Sequence, residues 1–267
     1  MKKIKIDAYK LLEKIRAEKP VIHHLTNWVT IYDCANIVKM LGASPVMAHA
    51  KEEAAQMAKI ASSLVLNIGT LEPQFVEAMK IAARAANEKK IPVILDCCGA
   101  GATSLRDEKC LELLDEARID IIKGNYSEVA RISGENISTK GVDSMAVGKN
   151  IIEIVEVLAL KRKCSVVATG REDVVSDGEK LYFIKNGDPM MANIVGTGCM
   201  AASVIGTFAA VEKDLAFAAA AALVCFEIAA ECAARQSIGP MEFKSRMFDC
   251  LFHLDRHTID KMQKVEG

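Results

Sequence analysis

The chain has 267 residues, 34 basic against 35 acidic side chains, 51% apolar and 26% charged positions, and only 5% aromatics. Such apolar content excludes a disordered chain, and a net charge of −1 offers no general field for nucleic acid or an anionic membrane. The length suits a single α/β domain spanning residues 1–267.

The opening MKKIKIDAYKLLEKIRAEK is amphipathic and charged throughout, so no secretory signal is expected. β-rich runs then alternate with helical patterns. Strands are expected at Val21–Leu25, Ser44–Met47, Leu64–Ile68, Val93–Asp96, Ile119–Lys123 and Ser165–Ala168, with helices at Ile31–Leu41, Lys51–Ser62, Pro73–Lys89, Leu105–Ala117 and Asp143–Lys161. Continuous apolar strands separated by helices predict a parallel sheet buried on both faces. Val174–Ile184, with Asp177-Gly178 in its middle, reads as a hairpin. From Gly198 onward the chain is nearly all helix and rich in alanine. Its longest apolar run, near Ala216–Cys225, meets Glu227 and Glu231 before reaching membrane-spanning length. The nine cysteines include no CxxC pair and no zinc-ligand spacing, which fits a reducing, cytoplasmic setting.

Ligands of open α/β sheets sit beyond the carboxyl ends of the strands. Here those ends carry His23-His24-Leu-Thr-Asn27, Met47, Asn67-Ile-Gly-Thr70, Asp96, Lys123-Gly-Asn125 and Thr169-Gly170. The sharpest motif is Gly196-Thr197-Gly198-Cys199, running into a helix expected at Ala201–Val211. Its glycines admit close approach, and the helix start offers unpaired N–H groups and a positive dipole end suited to phosphate. A plain tight turn would use the same residues. Cys199 falls in the first helical turn, where a thiol's pKa is lowered; packing is its other reading.

Asp96 ends a strand, within reach of Mg²⁺ or its waters, and the alternative is a local acceptor in a turn. The following Gly99-Ala-Gly101 matches a dinucleotide fingerprint only in part, since Ser104 stands where a third glycine belongs. Lys123 is placed to meet phosphate and Glu128 adds a second carboxylate, unless they are a solvated lysine and a first-turn acid favoured by the dipole. The adjacent His23 and His24 point to opposite faces, which favours structural roles over a metal pair.

Taken together, His24-Leu-Thr-Asn27-Trp-Val-Thr30, Asp33-Cys-Ala-Asn36, Gly42-Ala-Ser-Pro45-Val-Met47-Ala48, Gly99-Ala-Gly-Ala-Thr103, Gly124-Asn-Tyr-Ser-Glu128, Thr169-Gly170 and Gly196-Thr-Gly-Cys199 resemble the hydroxyethylthiazole kinases along roughly residues 20–210. The resemblance implies a ribokinase-like fold: a central, mostly parallel sheet flanked by helices, with a helical C-terminal third. It implies Mg²⁺- and ATP-dependent phosphorylation of 4-methyl-5-(2-hydroxyethyl)thiazole in thiamine salvage, and a homotrimer with active sites at subunit interfaces. It places Met47, Gly196 and Asn27 at the alcohol, Lys123 and Thr169 at ATP, Asp96 and Glu128 at the metal. Cys199, with Thr197 and Gly198, falls at the reacting centre. Two departures stand out: the family usually carries Arg at Lys123, and Asp-Pro-Val-Gly where this chain has Asp96-Cys97-Cys98-Gly99. Alternatives are a kinase of another small heterocyclic alcohol and a nucleotide-binding protein without turnover.

Overall fold

The computed structural model describes residues 2–134 and 144–267; Asp143, where one helix was expected to start, lies outside them. The chain opens with β1 (Lys3–Ile4), α1 (Ala8–Glu18), β2 (Val21–Leu25), α2 (Ile31–Met40), β3 (Ser44–Val46) and α3 (Lys51–Ile60). It continues through β4 (Ser63–Asn67), α4 (Pro73–Lys89), β5 (Val93–Asp96), α5 (Ser104–Glu116), β6 (Ile121–Asn125), α6 (Tyr126–Ser133) and α7 (Ser144–Arg162). Then come β7 (Ser165–Thr169), the hairpin β8 (Asp173–Ser176) and β9 (Leu181–Ile184), and a 3-10 turn at Pro189–Asn193. The last elements are α8 (Thr197–Ala209), α9 (Leu215–Ala234), α10 (Pro240–Phe252), α11 (Arg256–Met262) and β10 (Val265–Glu266).

One sheet joins the strands in the order β1-β10-β9-β8-β7-β6-β5-β4-β2-β3. From β3 to β7 the pairs are parallel; from β7 outward they are antiparallel. Alternation sets the two cores. Val65, Ile94, Ile121 and Val167 face the layer holding α8 and α9, while Leu64, Leu66, Leu95 and Ile122 face the layer holding α4 and α7. Small residues let α8 lie close on the sheet: a Cβ at Gly206 would stand 2.4 Å from Val65 Cγ2. Helix α9 is apolar and long enough to cross a membrane, yet most of it is buried against α1, α8 and α10. It is the core helix of that layer.

The differences from the expected elements have local causes. β6 starts at Ile121 because Asp120 spends its carboxylate on the Val93 N–H, and it runs on to Asn125 because Gly124 and Asn125 pair with Ala168 and Thr169. Lys123 is therefore inside a strand rather than at its end. β4 stops at Asn67, one residue early. α8 begins at Thr197, four residues before the expected start, because Gly196 adopts φ +93° and its carbonyl accepts the Met200 N–H. The two-residue strands β1 and β10 are too short to carry a periodic signal.

Candidate active site

At the carboxyl ends of β2, β4 and β5, and from within β6, four side chains converge on the first turn of α8. Asn27, just past β2, is held by Thr30: its Oδ1 accepts the Thr30 N–H (3.1 Å) and hydroxyl (3.0 Å). Its Nδ2 donates to Asn67 Oδ1 (2.9 Å) and to Cys199 Sγ (3.3 Å). Asn67 in turn donates to Asp96 Oδ2 (2.6 Å) and to Cys199 Sγ (3.4 Å). Asp96 Oδ1 faces Lys123 Nζ at 3.4 Å. All of these side chains are buried.

Helix α8 meets this cluster with Gly196, Thr197, Gly198 and Cys199. A Cβ at Gly196 would collide with Thr30 Cγ2 at 2.4 Å, and one at Gly198 would stand 3.1 Å from Lys123 Nζ. The glycines thus bring the helix start against the ammonium, where N–H groups have no acceptor within the helix.

The electrostatics follow from packing. Hydrogen bonding from the Cys98 thiol is the main influence holding Cys199 down at about 5; burial opposes it, and Thr30, Lys123 and Asn27 add to it. Burial pushes Asp96 up to about 7, although the Lys123 ammonium pulls the other way. Burial also works against the charge on Lys123, but Asp96, Glu128 and Cys199 outweigh it and hold the ammonium above its usual range.

Glu128 sits in the first turn of α6 in a capping box. Its Oε2 accepts the Asn125 N–H and its Oε1 accepts the Gly99 N–H, both at 2.7 Å. Thr169 closes β7 beside Asn125, its hydroxyl donating to Gly124 O (3.3 Å). Met47 is tied to His49, which contacts both Met47 O (2.8 Å) and Thr26 O (3.2 Å), stacks on Phe75 and lies tilted against Trp28. The structure thus gathers Asn27, Asp96, Lys123, Gly198 and Cys199 tightly, with Gly196 and Thr197 leading into the same helical turn and Glu128 acting on Asp96 and Lys123; Thr169 is tied to Gly124 and Asn125, and Met47 to His49. The histidine pair is structural: His23 meets Ala48 O (2.9 Å) and His24 meets Ser203 Oγ (3.1 Å), both fully buried.

Sequence reasoning missed Arg106. Its guanidinium donates to Ile68 O (2.9 Å), Gly69 O (2.8 Å) and Cys98 O (3.2 Å), clamping the loop after β4 to the loop after β5. Nothing in a helical Arg announces that role. A cavity of about 450 Å³ at the other end of the sheet offers no such convergence: there Arg118 and Asp120 pair with each other at 3.0 Å.

A glycine-capped helix start beside a buried lysine and carboxylate sets unpaired N–H groups and a cation at the strand ends of a parallel sheet, where open α/β folds take their ligands. The fold is ribokinase-like. A ribokinase-like superfamily protein from Enterococcus faecalis V583 superposes with a TM-score of 0.61 at 14% identity, over 94% of this chain and 98% of that one, a likeness of fold alone. The profile of the hydroxyethylthiazole kinase family matches residues 12–257. A hydroxyethylthiazole kinase of Methanosarcina mazei is 52% identical over 255 residues, 96% of this chain and 98% of its own. The structure of a hydroxyethylthiazole kinase protein from Pyrococcus horikoshii OT3 superposes with a TM-score of 0.89 at 35% identity, over 97% and 98% of the two chains. The chain belongs to the hydroxyethylthiazole kinase family.

Proposed function

We propose that this protein transfers the γ-phosphoryl group of ATP to the hydroxyl of hydroxyethylthiazole, as a cytoplasmic step of thiamine salvage. The observation that carries this reading is the buried thiol of Cys199, held as a proton acceptor in the first turn of α8, 172 residues beyond Asn27 in sequence yet hydrogen-bonded to it.

Phosphoryl transfer through a loose transition state asks the protein for position and charge stabilisation rather than covalent chemistry. The N–H groups of Thr197, Gly198 and Cys199 hold the migrating group's oxygens, and Lys123 faces the same charge. Thr169, beside the end of β6, contacts the nucleotide. Gly196, Asn27 and Met47 border the alcohol, and Cys199 accepts its proton late in the transfer. A weak base suffices there, because the hydroxyl sheds its proton only after the phosphoryl bond has largely formed.

Mg²⁺ is commonly held by one or two carboxylates, with waters and phosphates filling the remaining positions. Asp96 and Glu128 fit that donor set: each Glu128 oxygen accepts a single N–H and retains a lone pair. Among the described residues no group of three His, Cys, Asp or Glu could hold a metal. The pair therefore suits a cation that arrives with the nucleotide. When bound, it neutralises charge on the β- and γ-phosphates.

A homotrimer with active sites at its interfaces belongs to the same reading. Trp28 and Val29 before α2, Tyr32 in its first turn, Val195 before Gly196, and Met241 on α10 are large apolar side chains left exposed. Lys244 of α10 pairs with Asp33 of α2 at 2.7 Å, so these segments adjoin each other beside the site. Light scattering of the wild type gives a trimer mass and Tyr32→Glu lowers it to that of a monomer; a variant that keeps the trimer mass refutes this interface, and a monomeric wild type refutes the assembly.

ADP release measured with Mg-ATP and a panel of small alcohols tests the function. Turnover that depends on hydroxyethylthiazole is expected. Turnover with another heterocyclic alcohol alone, or nucleotide binding with none, would overturn the assignment.

A further inference from the structure

Asn67 is a buried side chain hydrogen-bonded to both Asp96 and Cys199. All four hydrogen-bonding positions of its amide are filled. Oδ1 accepts from Asn27 Nδ2 and from the Gly69 N–H, both at 2.9 Å; Nδ2 donates to Asp96 Oδ2 at 2.6 Å and to Cys199 Sγ at 3.4 Å. The orientation of this amide is not free. Gly69 N–H is a donor under every condition, so the atom facing it is the oxygen, and the two amide hydrogens are left for Asp96 and Cys199. Asn27 is pinned likewise, because the Thr30 N–H fixes its oxygen and sends its hydrogens to Asn67 and Cys199. Two obligate backbone donors thus orient two amides in series, and both deliver a hydrogen to the same sulfur.

We propose that Asn67 is a positioning residue for phosphoryl transfer: its amide keeps Cys199 as a proton acceptor and fixes the distance between that sulfur and the Asp96 carboxylate. The inference rests on the kinase reading above and deepens it. Asn67 touches neither substrate nor nucleotide in this account. It acts by joining the residue beside the alcohol to the residue beside the metal through one planar, rigid group, so that neither moves alone.

Asn67→Asp is the decisive variant. It keeps the shape, and its oxygen can still accept from Gly69. A carboxyl at this position has at most one proton to give, and Asp96 lies nearest to take it, which leaves Cys199 without a hydrogen from this side. Asn67→Ser, whose hydroxyl donates once, is the second variant should the first fold poorly. The expected result is a fall in kcat of about 10²-fold, the scale of one lost preorganised donor, with KM for ATP and for hydroxyethylthiazole changed less than about threefold.

A second readout separates this role from a merely structural one. Iodoacetamide labelling of Cys199, followed by peptide mass across pH, has its midpoint displaced upward by about one unit or more when the donor is lost. Cys98, Lys123 and Asp96 face the same sulfur and are unchanged in these variants. Wild-type kcat in either folded variant overturns the inference. So does a fall in kcat with an unmoved labelling midpoint. If wild-type protein releases no ADP from the thiazole alcohol, the functional reading fails, and the labelling midpoint alone then decides whether Asn67 governs Cys199.

Discussion

Gly198→Val strains the site where the helix start meets the Lys123 ammonium. A Cβ at this position stands 3.1 Å from Lys123 Nζ, a few tenths of an ångström inside ordinary contact. Lys123 is 3% exposed, and the accommodation expected of its ammonium is a lengthening of the 3.4 Å approach to Asp96. A retreat of roughly 0.5 Å weakens that pair by about 0.6 kcal/mol at an effective dielectric near 20, or about threefold in rate. Gly198→Ala therefore lowers kcat only about threefold. Valine adds two γ-carbons over the first N–H groups of α8, and loss of access to one preorganised donor lowers the rate by about 10²-fold or more. The assay is steady-state ADP release at saturating alcohol, with thermal unfolding to show that each variant is folded. Gly239→Ala, where an added Cβ meets nothing within 4 Å, is the control and keeps wild-type turnover. A folded Gly198→Val enzyme with undiminished kcat would falsify the placement of the phosphoryl group at this helix start.

Cys98→Val removes the strongest influence that holds Cys199 down at about 5. The acid limb of kcat/KM moves upward, so the variant loses activity at pH 6 and converges on wild type at alkaline pH; an unmoved limb refutes the role of the Cys98 thiol. His24 is fully buried, and burial holds it down at about 3 despite its hydrogen bond to Ile22 O. Its folded value lies below the unfolded one near 6.5, so the stability it carries is complete above about 6.5 and is lost as pH falls toward 3. Urea unfolding of wild type should lose about 1 kcal/mol from this group between pH 7 and 5.5, and His24→Asn should abolish that share; an equal loss in both proteins refutes it.

The α/β order was legible because each parallel strand is an unbroken apolar run and each crossover carries a helical period. The site was legible as residue types at strand ends, and its sharpest element, Gly196 to Cys199, was visible as glycines before a helix. What linear reading could not give is direction. Lys123 reads as a strand end placed to meet phosphate or left in solvent, yet it lies within β6 in register with Asp96, and its buried ammonium faces that carboxylate. Asn67 reads as one more polar strand end; its value lies in joining residues 40 positions before it, 29 after it and 132 after it. Arg106 holds two loops through their carbonyls, a contact that leaves no trace in residue type. Cys199 stood apart in the sequence by its glycines and its place in a first helical turn, but nothing there set Cys98, which acts on it, apart from Cys97, which the fold turns toward Cys110.

The Lys123–Asp96 pair separates function from stability. Two ions 3% and 1% exposed must give up their hydration, and attraction across 3.4 Å repays this poorly unless every remaining lone pair and proton is matched. A fold selected only for stability would place apolar side chains here, as it does one register away at Leu95 and Ile122. The double variant Lys123→Met/Asp96→Leu is accordingly expected to unfold in urea at the wild-type midpoint or above it. Asp96→Leu alone leaves an ammonium buried without its carboxylate, at a loss of about 3–5 kcal/mol. Both variants are expected to lose turnover: the double variant lacks both charges, and Asp96→Leu lacks the carboxylate proposed for the cation. Should the double variant prove less stable than Asp96→Leu alone, the pair would be a structural element of the core, and its position beside α8 would say nothing about phosphate.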